Sequence, residues 1–146
     1  MPAWTPGRCG ICERSADWRR RGPAAVSGDT LLHFDLRADN LLLGAEQVWF
    51  IDWPHACVGA AWLDVVAFVP SVTMQGGPAP EDVFARYASS KQADAEAVTC
   101  GVAALAGFFS RESLLPPLPG LPTLRAFQAA QGAVARQWLA QRTRLE

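Results

Sequence analysis

The chain has 146 residues, is half hydrophobic by count and 18% charged, and carries a formal net charge of −1. That length suits one domain with a buried core, and the apolar content argues against disorder. The balanced charge argues against nucleic-acid binding by bulk electrostatics, no run reaches the ~20 apolar residues of a membrane span, and no apolar h-region follows Met1, so a cytoplasmic protein is expected.

Residues 1–28 are rich in Gly, Pro and Arg, and within them only Cys12 to Arg21 can continue a helix before Gly22-Pro23 ends it. Thr30 to Phe34 has strand character. Leu41-Leu-Leu43 and Gln47-Val-Trp-Phe-Ile51 flank Gly44-Ala-Glu46, a connection of hairpin length. Trp62 to Thr73 is apolar and long enough for a helix, Gly76 to Pro80 reads as a loop, and Glu81 to Ser89 as a short helix with acids at its N-terminus. Ala93 to Leu115 places Val98, Val102, Leu105 and Phe109 at the helical period. The proline-rich stretch Pro116 to Pro122 connects it to a last helix. There Thr123 is the expected cap, Leu124, Phe127, Val134 and Trp138 the expected apolar face, and Arg136, Arg142 and Arg144 favour the C-terminal end. The pattern predicts an α+β domain: a small β-section followed by an all-helical remainder.

The chemistry concentrates in His33-Phe-Asp35-Leu-Arg-Ala-Asp-Asn40 and in Phe50-Ile-Asp52-Trp53. An acid follows a strand, an amide lies five residues on, and a second acid ends the next hairpin. Side chains at the ends of adjacent strands converge, so Asp35, Asn40 and Asp52 are expected to share one small site. Two carboxylates and an amide carbonyl are hard oxygen ligands, which select Mg²⁺ over softer metals. A chelated phosphate beside a spare carboxylate suits phosphoryl transfer, where positioning and charge neutralisation supply most of the catalysis.

These motifs, in this order and at these separations, resemble the catalytic core of the aminoglycoside phosphotransferases and related small-molecule kinases. The resemblance covers residues 29–66 most closely. It implies a protein-kinase-like fold, with residues 29–146 as a mostly helical C-terminal lobe whose β-hairpin section carries the catalytic loop. It implies that Asp35 is the catalytic base facing the substrate hydroxyl, that Asn40 and Asp52 bind Mg²⁺, and that His33 braces the loop from behind. Asp64 matches the acid that opens the following helix and anchors that loop, although Gly59-Ala60-Ala61 stands where the family has Gly-Asp-Pro. ATP or GTP is the implied donor, and a small-molecule hydroxyl the acceptor. The acid-rich stretch from Asp29 to Asp64 could attract a cationic acceptor such as an aminosugar, although metal binding alone would explain most of it.

The residues before His33 contain no lysine, and Lys91 is the only one in the chain. The family's N-terminal lobe, with its nucleotide-gripping lysine, is therefore expected to be absent and residues 1–28 to be a remnant leading into the lobe. This leaves a second expectation, a catalytically silent lobe or binding module. Pro54 after Trp53 argues against a flipping activation segment. Cys9-Gly-Ile-Cys12 lacks the second ligand pair of a structural zinc site, and the four cysteines are expected to be reduced. Arg19 to Arg21 reads as a solvated helix end, Asp39 as a solvated loop residue, and His55 as a surface residue that is equally able to approach substrate.

Overall fold

The computed structural model describes residues 24–143. The expected helix over Cys12–Arg21, the Cys9/Cys12 pair, Arg19–Arg21 and Arg144 lie outside the described residues. The architecture is α+β, with two two-stranded antiparallel sheets and four α-helices among the described residues.

Strand β1 (Thr30–Leu32) pairs with β4 (Cys57–Gly59), in the register Thr30↔Gly59, Leu31↔Val58 and Leu32↔Cys57. Alternation along β1 turns Leu32 into the core and leaves Leu31 exposed. The strand is shorter than the apolar run Thr30–Phe34 predicts, because Phe34 takes a positive φ of 60° that ends extended structure. Strand β4 was not foreseen: a three-residue strand flanked by Ala56 and closing on Gly59 offers too few residues to show a period. Between these strands, β2 (Leu41–Leu43) and β3 (Val48–Phe50) form the expected hairpin, closed by a hydrogen bond from Gly44 N–H to Gln47 O at 2.8 Å.

Helix α1 (Leu63–Met74) supplies the centre of the core through Leu63, Val65, Val66 and Val69. It follows the apolar run closely, even though Pro70 withholds one N–H from its ladder. Helix α2 (Pro80–Phe84) is shorter than Glu81–Ser89 suggests; a separate 3-10 turn spans Ala88–Gln92. Helix α3 (Ala95–Glu112) is capped by Asp94, whose side chain accepts from Ala97 N–H at 2.8 Å. Helix α4 (Leu124–Arg142) packs on α3 in the largest helix–helix interface.

Two expectations about α4 need correction. Thr123 has helical dihedrals and its side chain makes no cap bond. The buried face runs through Gln128, Gln131, Gly132, Ala135 and Trp138, about one residue around from the apolar stripe, and Leu124, Phe127 and Val134 are only half-buried. Gln128 goes inside because its Oε1 accepts from Arg125 at 2.8 Å, a polar pairing that a hydropathy pattern does not register. Arg136 and Arg142 also do more than face the helix C-terminus. Arg136 donates to Ser110 Oγ at 2.6 Å, and Arg142 to both carboxylate oxygens of Glu81 at 2.7 and 2.8 Å.

Cys57 is exposed and Cys100 buried, and neither forms a disulfide. No helix among the described residues is long and apolar enough to cross a membrane.

Candidate functional site

The site is assembled where β1 ends, β3 ends and α1 begins. His33 follows β1 directly and is buried, 2% exposed. Its Nε2 lies 2.8 Å from the carbonyl oxygen of Ile51, and the backbone N–H of Asp35 donates to its Nδ1 at 3.3 Å. A carbonyl only accepts and an N–H only donates, so the imidazole is neutral with its proton on Nε2. The ring of Trp53 packs against it with centroids 4.6 Å apart. His33 thus ties the loop that carries Asp35 to the strand end that carries Asp52.

Asp64, in the first turn of α1, accepts the backbone N–H groups of His33 and Phe34 with its two carboxylate oxygens at 2.9 and 2.8 Å. Those two amides have left the β1 ladder and have no other partner in regular structure. The double acceptor also holds Phe34 in its left-handed conformation, which a bulky residue adopts only when its surroundings impose it.

From Phe34 the chain enters a loop whose 3-10 turn, Ala38–Asn40, delivers Asn40 to a buried position, 4% exposed. Its Nδ2 donates to Asp35 O at 2.8 Å and to Asp35 Oδ2 at 3.3 Å. The amide side chain therefore fastens the loop across its base and directs the Asp35 carboxylate, leaving its own Oδ1 as a hard donor. Ile51 N–H donates to Asn40 O at 3.0 Å, which extends the β2–β3 ladder by one bond and sets Asp52 immediately beyond it. Asp52 has φ 62°, a left-handed conformation that Asp tolerates better than most residues. It is exposed, and its carboxylate makes no hydrogen bond or ion pair with the described residues.

The structure thus links His33, Asp35, Asn40 and Asp64 by direct hydrogen bonds and joins Asp52 to them through the backbone of Ile51. His55 is exposed and outside this network. The donors fit Mg²⁺, which takes one or two carboxylates and completes its octahedron with phosphate oxygens and water. No group of three or more His, Cys, Asp or Glu side chains able to hold a metal occurs among the described residues.

Two residues emerge that motif reading had passed over. Arg37 donates to Asp39 through Nε at 3.1 Å and Nη2 at 2.9 Å, while its Nη1 lies 3.8 Å from Asp35 Oδ1. Its guanidinium carbon sits 5.7 Å from the centre of the Phe127 ring on α4, within cation–π range. Asp39, expected to be merely solvated, is 67% exposed yet fully engaged by Arg37. Arg37, Asp39 and Phe127 share the wall of an open cavity of about 690 Å³ between the loop, the end of α1 and the start of α4. The spacing of the motif could have drawn attention to Arg37 as the one base in an acidic stretch; nothing in the sequence points to Phe127.

A family model described as the phosphotransferase enzyme family (APH) matches residues 8–99, well over half of the chain and the whole of this network. No curated protein matches the chain, and no solved structure does.

Proposed function

The chain belongs to the phosphotransferase enzyme family, and from that membership we propose that it transfers the γ-phosphoryl group of ATP or GTP to a hydroxyl of a small molecule. In this reading residues 29–146 form the catalytic and substrate-binding lobe of a protein-kinase-like fold. The observation that carries the assignment is the pair of hydrogen bonds from Asn40 Nδ2 to the backbone and carboxylate of Asp35. They couple the proposed base to a proposed metal donor within one rigid turn, the preorganisation that phosphoryl transfer demands.

Asp35 orients the acceptor hydroxyl and takes its proton. The hydroxyl oxygen forms a bond to the γ-phosphorus as the bond from that phosphorus to the β,γ-bridging oxygen breaks. The nucleoside diphosphate leaves with the electron pair. Asp52 and Asn40 would hold Mg²⁺, which when bound would neutralise charge on the phosphates. His33 and Asp64 touch neither substrate; they position the loop.

The test is phosphoryl transfer from γ-labelled Mg·ATP and Mg·GTP to a pool of hydroxyl compounds. Asp35→Asn is expected to lower transfer by about a hundredfold or more while leaving the far-ultraviolet circular dichroism unchanged. Equal transfer by wild type and variant would overturn the assignment of the base. Calorimetric titration with Mg·ATP addresses the alternative of a silent lobe, which micromolar binding would argue against.

A further inference from the structure

The side chains of His33, Asp35, Asn40 and Asp64 are each tied to another part of the site by a hydrogen bond. The Asp52 carboxylate has no such bond with the described residues, so its backbone alone aims it. That backbone is left-handed, with φ 62°, a conformation that costs free energy and persists only where the surroundings impose it.

The residues on either side of Asp52 are both fixed. On the preceding side, Ile51 N–H donates to Asn40 O at 3.0 Å and Ile51 O faces His33 Nε2 at 2.8 Å. On the following side, Trp53 carries three restraints. Its carbonyl accepts from Ala56 N–H at 3.1 Å, closing a turn with Pro54 in second place, where a fixed φ is favoured. Its indole Nε1 donates to Phe50 O at 2.9 Å. Its ring packs on the His33 imidazole, with centroids 4.6 Å apart and planes at 54°.

The hairpin explains why Phe50 O is available. The Ile51–Asn40 bond marks a hydrogen-bonded position of the ladder, so the adjacent pair Leu41↔Phe50 is a non-hydrogen-bonded one. The Phe50 carbonyl therefore points away from β2, and the indole N–H meets it there. That bond spans Ile51 and Asp52, while the indole face rests on the imidazole that holds Ile51 from the other side.

We propose that Trp53 is the positioning residue for Asp52: by bonding Phe50 O across it and stacking on His33, the indole locks Asp52 left-handed and so aims its carboxylate. That the carboxylate so held serves magnesium rests on the phosphotransferase reading; that Trp53 sets the Asp52 backbone does not.

The experiment reads the two separately. Wild type, Trp53→Ala and Trp53→Phe are labelled with ¹³C and ¹⁵N. The Cα and Cβ shifts of Asp52 report its φ and ψ, and carbon shifts follow these angles far more than ring currents. Titration with Mn²⁺, a paramagnetic stand-in for Mg²⁺, reports metal affinity through broadening of the Asp52 and Asn40 amides. Trp53→Ala is expected to move the Asp52 shifts out of the left-handed pattern and to weaken Mn²⁺ binding by about tenfold, as loss of a ligand's outer support does. Trp53→Phe keeps a ring against His33 and loses the bond to Phe50, so smaller changes in the same direction are expected. Trp53 is 44% exposed, so both variants are expected to fold; the phenylalanine variant carries the test if the alanine variant does not. The Mn²⁺ affinity that remains in Asp52→Asn is expected to be the same with and without Trp53→Ala, because Trp53 acts through Asp52. Asp52 shifts unmoved in both variants, undiminished Mn²⁺ affinity in Trp53→Ala, or a further loss in the Asp52→Asn background would each overturn the proposal. A wild-type chain that binds no Mn²⁺ would instead overturn the reading of Asp52 as a metal donor, and the Asp52 shifts would still decide whether Trp53 sets its backbone.

Discussion

Asp64 accepts the backbone N–H of His33 at 2.9 Å across a sequence separation of 31 residues, and its second oxygen accepts that of Phe34. The bond joins the first turn of α1 to the end of β1, so the helix that forms the core also sets the height of the loop. Asp64→Asn is the sharpest probe of this link. The amide can accept one N–H through its oxygen, but it turns an NH₂ group towards the other, leaving that donor unsatisfied. Hydrogen bonds to charged groups contribute about 1.5–3 kcal/mol each, and for this partly exposed side chain a loss of about 2 kcal/mol is expected. Urea unfolding measures it; a midpoint equal to that of wild type would show that the loop does not depend on Asp64.

The partners of His33 fix its tautomer. Nε2 faces the Ile51 carbonyl at 2.8 Å and Nδ1 receives the Asp35 N–H at 3.3 Å. Long-range ¹H–¹⁵N correlation spectra of the imidazole are expected to show a protonated Nε2 and a bare Nδ1. A spectrum with the proton on Nδ1 would mean that the Ile51 bridge, and with it the tie between the Asp35 loop and Asp52, is not formed.

His33, Asp35, Asn40 and Asp52 were legible in the sequence because they lie within one short stretch. In the proposed reading, a loop that brings a base and hard oxygen donors together needs those residue types at nearly fixed spacing. The long apolar helices were legible for a similar reason, since burial of one face writes its period into the chain. The left-handed backbone at Phe34 could not be read. It is imposed from Asp64, across the fold, on a residue type that does not favour it. Strand β4 is too short to show a period, and the true inward face of α4 depends on Gln128 meeting Arg125. The cavity was invisible for the same cause: Phe127 looks like a core residue until the face is seen to turn it towards Arg37.

Arg37 and Asp39 offer a quantitative check on the loop beside Asp35. Both sit at the surface, with side-chain exposures of 27% and 67%, so solvent screens the two bonds between them. A double-mutant cycle with Arg37→Met and Asp39→Asn is expected to give a coupling of about 0.5 kcal/mol that shrinks at high salt. Arg37→Lys is expected to lose most of it, because an ammonium cannot present the two parallel donors of the guanidinium. Coupling above about 2 kcal/mol would place the pair in a far drier setting than its exposure indicates.

Trp138 is fully buried on α4, packs near Phe84 with ring centroids 6.0 Å apart, and donates from Nε1 to Glu81 Oε2 at 2.6 Å. Among the described residues it is the largest side chain with no exposure, and Glu81 in turn binds Arg142 at 2.7 Å. Trp138→Ala is expected to destabilise by about 3–5 kcal/mol through lost burial and the cavity left behind. Trp138→Phe keeps most of the apolar volume and leaves Glu81 its arginine partner, so a loss of about 1–2 kcal/mol is expected. Equal costs for the two variants, read from chemical denaturation, would show that the indole N–H rather than packing holds α4 to α2.

Gly28 lies just before β1, where the chain crosses the end of β4. A Cβ added there would meet the carbonyl oxygen and carbon of Gly59 at 2.4 and 2.6 Å and Ala60 Cα at 2.7 Å. All three are backbone atoms, and Ala60 N–H is already bound to Val26 O at 2.9 Å, so none of them can give way cheaply. Replacing a glycine by alanine at a compatible site stabilises a protein by about 0.4–1 kcal/mol through the unfolded state; here the sign reverses. Gly28→Ala is expected to push β1 away from β4 and so to disturb His33, which follows β1 directly. The readout is paired: a lower unfolding midpoint together with shifted His33 and Phe34 amides. A Gly28→Ala variant as stable as wild type, with those amides unmoved, would show that the crossing is looser than 2.4 Å implies.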